Sequence, residues 1–81
     1  MQVTVKYLGL VSNRTGKRSE VWILSADATF ATLKGLLLKK YCFDASMAVF
    51  YNLNGKGISE NATCSLADGD LVVIVPHISG G

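Results

Sequence analysis

Apolar and polar positions alternate with period two at the start of the chain. In Met1-Gln-Val-Thr-Val-Lys-Tyr-Leu8, Val3, Val5 and Tyr7 share one face, and Thr4, Lys6 and Leu8 share the other. That is the pattern of a half-buried strand. From Gly9 to Ser19 the chain turns polar, and Ser12-Asn13-Arg14-Thr15-Gly16 reads as a loop. Glu20-Val-Trp-Ile-Leu-Ser25 is β-branched and aromatic, which predicts a second strand, antiparallel to the first. Its buried face stays open, because Val21 and Ile23 compete with Trp22 and Leu24. The period then changes to that of a helix. Thr29 stands where an N-cap belongs, and Phe30, Leu33, Leu37 and Tyr41 recur at three- and four-residue steps as one apolar stripe. Lys34, Lys39 and Lys40 fall off the stripe, the last two near the C-terminal end, where cations suit the helix dipole. Gly35 costs such a helix about 1 kcal/mol relative to alanine; close packing against the sheet is one account of it.

Ala48-Val-Phe-Tyr-Asn-Leu53 predicts a third strand, Asn54-Gly55 a tight turn, and Ile58 the start of a short fourth strand. Ser65-Leu-Ala-Asp68-Gly69-Asp70 is a turn. Leu71 to Val75 is apolar without alternation, as expected of a central strand covered on both faces. The fold class is therefore α+β, a mixed sheet of four to five strands wrapped over one main helix. One helix covers one face. If Val3, Val5, Val72 and Ile74 face it, alternation turns Leu8, Val73 and Val75 outward, with Phe50 beside them. Such an exposed apolar patch marks a partner site; the plain alternative is scattered surface apolars with no role.

Composition narrows this further. At 81 residues the chain is one domain with a small core. Apolar residues are 49%, which favours folding over disorder. A formal charge of +2 gives no ground for direct nucleic-acid binding, and Arg14, Lys17 and Arg18 read as a solvated loop. The N-terminus runs straight into a strand pattern without a signal peptide, and no apolar run reaches the ~20 residues of a membrane span. Cys42 and Cys64 lie far apart, and only His77 is available to join them, so no metal site is expected. They read as two reduced, partly buried thiols of a cytoplasmic protein. Gly55-Lys56-Gly57 lacks the spacing and following helix of a phosphate loop, and Asn61-Ala62-Thr63 is a glycosylation sequon without a secretory signal.

The last stretch carries the chemistry. After Leu71–Val75, Pro76 ends the strand, and His77-Ile78-Ser79-Gly80-Gly81 forms a tail. The expected division is a domain over residues 1–76 and a flexible arm over 77–81. Five residues span up to about 17 Å at ~3.3–3.6 Å each. Two glycines without side chains enter a narrow site at any backbone angle. An arm ending in a free carboxylate suits reactions on that carboxylate, once one oxygen is converted to a better leaving group; the bland reading is a frayed end.

The Asp-Gly-Asp turn, the apolar strand, the proline and the final Gly-Gly resemble the ubiquitin-like sulfur-carrier proteins. These include the small subunit of molybdopterin synthase, the thiazole-biosynthesis carrier and the carriers of tRNA thiolation. The likeness covers the whole chain in element order and is most specific from Leu66 to Gly81. His77 stands where the family often has a second proline. The long Gly9–Ser19 link is more like the molybdopterin-synthase and tRNA-thiolation carriers than the thiazole-pathway ones. The resemblance implies a β-grasp (ubiquitin-like) fold and a carrier with no catalysis of its own and no bound cofactor. It implies that an adenylating enzyme of the ubiquitin-activating type uses ATP to adenylate Gly81, which becomes a thiocarboxylate, while Gly80 gives access. Leu8, Phe50, Val73, Val75, Pro76, His77 and Ile78 would meet partners. The acceptor is expected to be the molybdopterin synthase large subunit. The alternatives are a tRNA-thiolation carrier, a protein modifier forming isopeptide conjugates through Gly81, and an interaction module whose tail does no chemistry.

Overall fold

A computed structural model describes residues 1–41 and 48–76. In chain order the elements are β1 (Gln2–Tyr7), α1 (Leu10–Thr15), β2 (Ser19–Ile23), α2 (Phe30–Tyr41), β3 (Val49–Leu53), β4 (Lys56–Ile58) and β5 (Leu71–Pro76). The strands form one sheet in the order β2-β1-β5-β3-β4. β1 and β5 are parallel, and the other neighbours are antiparallel. A parallel pair cannot be closed by a hairpin and needs a long crossover; here β2, α2, β3 and β4 all lie between its two strands. This is the β-grasp arrangement, with α2 against one face. The continuous apolar run of β5 fits its central place.

The period-two reading of β1 holds. Val3, Val5 and Tyr7 are buried against α2 together with Val72 and Ile74 of β5 and Tyr51 of β3. From the helix, Phe30, Leu33 and Leu37 complete the core, and Phe30 meets Tyr51 edge-on at 5.1 Å. Thr29 caps α2 as expected: its Oγ1 accepts from the Thr32 amide at 3.3 Å, and Thr32 Oγ1 accepts from the Thr29 amide at 3.3 Å. This is a reciprocal capping box with threonine in the usual place of glutamate.

Four expectations need correction, and one question the sequence left open is settled. The polar Gly9–Ser19 link is not all loop, because Leu10–Thr15 forms α1. It closes on Gly16 in the left-handed conformation, with the Gly16 amide on Ser12 O at 2.8 Å, and Val11 is fully buried beneath it. Ile58 ends β4 rather than starting it. Gly35 is not held by close packing, since among the described residues an added Cβ would meet nothing within 4 Å outside its own helix backbone. Cys64 is exposed, not partly buried; Cys42 lies outside the described residues. Finally, β2 settles the face its sequence left open: Leu24 is buried and Trp22 half-buried, while Val21 and Ile23 are 56% and 70% exposed.

The Asp-Gly-Asp turn is a three-way clasp at the start of β5. Asp68 Oδ1 accepts from the Gln2 amide at 2.7 Å, and the Gly69 amide donates to Gln2 O at 2.8 Å. Asp70 takes the Ala67 amide at 2.7 Å and Asn54 Nδ2 at 2.9 Å, and Asn54 Oδ1 accepts from the Leu71 amide at 2.9 Å. The β1 start, the β3–β4 turn and the β5 start are thereby fixed in register. Among the described residues, no helix is long and apolar enough to cross a membrane.

Candidate functional site

The site is built around the C-terminal end of β5, at Val75 and Pro76. With Val72 and Ile74 buried under α2, Val73 and Val75 face the opposite side, and both are half-buried. Val75 is paired with Phe50 of β3. On its other side, the Leu8 amide donates to Ile74 O at 3.1 Å, which carries the β1–β5 ladder one residue past β1 and sets Leu8 beside Val75. Leu8, Val75 and Phe50 thus form one row across three strands. The next row inward is Lys6, Val73 and Asn52, so the apolar patch ends in a polar border. Leu8 is 45% and Phe50 59% exposed. Sequence alternation brought these four residues together correctly.

Pro76, the last strand residue, pairs with Val49 and packs on Gly9. Gly9 has φ 54° and ψ −129°, and a Cβ built on it would lie 3.0 Å from Pro76 Cγ. A side chain at position 9 would both strain the backbone and push on the proline. Gly9 was missed by sequence reasoning; a glycine directly after a strand was the available signal. His77, Ile78, Gly80 and Gly81 lie outside the described residues.

Behind the patch, on the helix side, a polar brace fixes the same end of the sheet. Glu20 accepts hydrogen bonds from Tyr7 Oη at 2.8 Å, Lys17 Nζ at 3.1 Å, Lys40 Nζ and Tyr41 Oη. Trp22 Nε1 donates to Tyr7 Oη at 3.3 Å, and Lys40 lies over the Trp22 ring. Burial works to raise the Glu20 pKa, but the four donors outweigh it and hold the carboxyl down at about 2. Burial pushes the Tyr7 hydroxyl up, beyond the tyrosine range; the Trp22 bond opposes this and Glu20 adds to it. Tyr7 therefore stays protonated and Glu20 ionised, and the cluster ties the end of α2 to the β1–β2 hairpin rather than offering an acid or base near neutral pH.

A shallow groove of about 310 Å³ lies elsewhere, between α2 and the 59–62 turn, lined by Ala31, Lys34, Gly35, Leu38, Glu60, Asn61 and Ala62. Lys34 Nζ closes one side by donating to Glu60 O at 2.8 Å.

No family model matches the sequence, and no curated protein matches it. Solved structures do match the fold. The crystal structure of SAMP1 from Haloferax volcanii superposes with a TM-score of 0.83 at 18% identity, covering 100% of both chains. A putative molybdopterin converting factor subunit 1 from Pyrococcus furiosus gives 0.80 at 24% identity, over 96% of this chain and 99% of that one. In the complex of subunits 1 and 2 of the molybdopterin-converting factor from Helicobacter pylori, the matched chain gives 0.64 at 24% identity, covering 100% of both. The fold is thus the ubiquitin-like β-grasp over the full chain.

Proposed function

We propose that this chain is a ubiquitin-like sulfur carrier, with Gly81 as the residue activated and the outer face at the β5 end as the surface its partners hold. The observation that carries this reading is the apolar row of Leu8, Val75 and Phe50, bordered by Lys6 and Asn52, at the point where the strand leading to the glycine tail leaves the sheet. An enzyme that acts on a thin tail must grip the domain beside the root of that tail, and desolvating an apolar patch supplies the grip. The Gly9–Pro76 contact holds the last residue of β5 beside this row.

The chemistry falls to partners. A Gly81 carboxylate oxygen attacks the α-phosphorus of ATP and releases pyrophosphate. The terminal sulfur of a persulfide then displaces AMP from the acyl-adenylate, and a second thiol cleaves the S–S bond to leave a thiocarboxylate. The carrier supplies no acid or base. The favoured acceptor is the large subunit of a molybdopterin synthase, in line with the fold's likeness to the Pyrococcus furiosus chain named as subunit 1 of a molybdopterin converting factor and to a chain of the Helicobacter pylori complex of subunits 1 and 2.

The likeness to a small archaeal modifier protein favours a second reading, in which the activated Gly81 passes to a lysine amine. Both readings share the adenylation step and part at the nucleophile. The test is the intact mass of the protein after incubation with ATP, a persulfide donor and a competent activating enzyme. Replacement of one oxygen by sulfur on the C-terminal peptide is the expected result. An unchanged mass, with the same enzyme active on another carrier, would overturn the carrier reading; lysine conjugates of the chain in its host would establish the modifier.

A further inference from the structure

The two edges of the sheet are unlike. β4 is only three residues long, Lys56-Gly57-Ile58, with a lysine and a glycine on it. Short length and an edge lysine are the usual ways to keep a sheet from pairing with another. β2 has neither protection. It runs for five residues, contains no proline, and among the described residues has a neighbouring strand on one side only.

Its backbone phase is fixed by the β1 ladder. The Tyr7 amide donates to Arg18 O at 2.8 Å, and Met1 and Leu24 exchange bonds at 2.7 and 2.8 Å. With the register Val5↔Glu20 and Val3↔Trp22, the even-numbered residues of β2 bond to β1. The N–H and C=O groups of Ser19, Val21 and Ile23 therefore point off the sheet. The Val21 and Ile23 side chains, 56% and 70% exposed, stand on the outer face of the same edge.

We infer that β2 is a self-pairing edge: a second copy of this chain adds antiparallel across it, joining two sheets into one of ten strands. The outward groups recur at every second residue, so a two-fold axis beside Trp22 sets Val21 level with Ile23 of the second copy, and Ile23 level with its Val21. Both pairs lie on the outer face as β-branched cross-strand neighbours. The same register brings the basic end of the strand, Lys17 and Arg18, to the turn that carries Asp27 in the second copy, and the two-fold axis repeats this contact. The formal charge of +2 per copy opposes association only weakly.

The edge is short, and its interface falls below the ~800 Å² per partner of stable complexes. The dimer is accordingly weak, with a dissociation constant of order 10–1000 μM. β2 and the Leu8–Val75–Phe50 row lie on different parts of the sheet, so pairing leaves the β5 end open on both copies. The inference does not depend on the sulfur-carrier reading.

The test is sedimentation of the full chain from micromolar to millimolar concentration, paired with amide exchange at both extremes. The weight-average mass should rise towards that of a dimer, with Ser19, Val21 and Ile23 amides gaining protection as it does. Val21→Lys and Ile23→Lys, each at a position more than half exposed, should weaken association at least about tenfold while leaving the near-ultraviolet circular dichroism unchanged. A monomer at every concentration overturns the inference and leaves the edge to an extended segment of another protein. A dimer that survives both substitutions, or that is lost on changing Phe50→Asp instead, also overturns it.

Discussion

Two residues act at the end of the sheet where β5 finishes, and each makes a separate prediction. Gly9 holds a conformation, φ 54° and ψ −129°, that residues with a Cβ rarely adopt, and its missing Cβ leaves room for Pro76 at 3.0 Å. Gly9→Ala should lower unfolding free energy by about 1–3 kcal/mol in a urea titration. Because the strain is shared with Pro76, it should also slow activation of Gly81 more than the stability loss alone explains. Glu20 acts through charge. Its side chain is 12% exposed, and its pKa lies at about 2 against an ordinary 4.5. A depressed carboxyl stabilises the fold above its unfolded pKa, and that stability is lost as pH falls through the folded value. Stability should therefore decline from about pH 5 to pH 2, by of order 2–3 kcal/mol from this group. Glu20→Gln should flatten that decline in urea titrations taken across the same range. A mutant whose acid limb superimposes on that of the parent would remove Glu20 from the account.

At the scale of elements, Gly35 is the exposed weak point of α2. Among the described residues, nothing outside the neighbouring helix backbone lies within 4 Å of the Cβ that alanine would add. Gly35→Ala should therefore raise stability by about 0.5–1 kcal/mol, seen as a higher Tm, because only helix propensity and unfolded-chain entropy change. A loss of stability would mean that the groove beside Lys34 and Leu38 tolerates no filling. The contrast between α2 and α1 shows what the sequence can reveal. α2 has twelve residues, enough for the stripe Phe30, Leu33, Leu37 to repeat and for Thr29 to announce its start. α1 has six, of which Val11 alone is buried, so no helical period can build up and its polar residues read as loop. β1 was legible in face as well as type; β5 was legible as a central strand, and the patch at its end follows by alternation once Val72 and Ile74 are set against the helix. β2 was legible only as a strand. Its apolar residues occupy both faces, and what separates them is the Glu20 brace and the buried Leu24, contacts made with Tyr7, Tyr41 and the β1 start from distant parts of the chain. The Asp68–Asp70 turn was likewise visible as a turn, but its bonds to Gln2 and Asn54 span distances in sequence that no local pattern encodes.

For the molecule as a whole, the outer face of the sheet carries two places, the β5 end and the β2 edge, that substitutions can address one at a time. Val75 faces away from α2, half-buried between Leu8 and Phe50. Val75→Asp should cost the fold about 1 kcal/mol, the range of strand propensity on a pleated surface. It should weaken binding to an activating enzyme or acceptor subunit by more than tenfold, measured by titration calorimetry, since it sets a charge in the centre of the patch. Val21→Lys, on the β2 edge, should leave that binding unchanged. Deletion of Gly81 should differ from both, keeping the melting curve and partner binding of the parent while abolishing sulfur transfer. The three variants together form a logical grid. Binding lost in Val75→Asp and kept in the Gly81 deletion would separate the grip from the chemistry. An unfolded Val75→Asp would mean that the outer face contributes more to the core than its exposure implies. A Gly81 deletion that still carries sulfur would end the carrier reading, whatever the other two variants do.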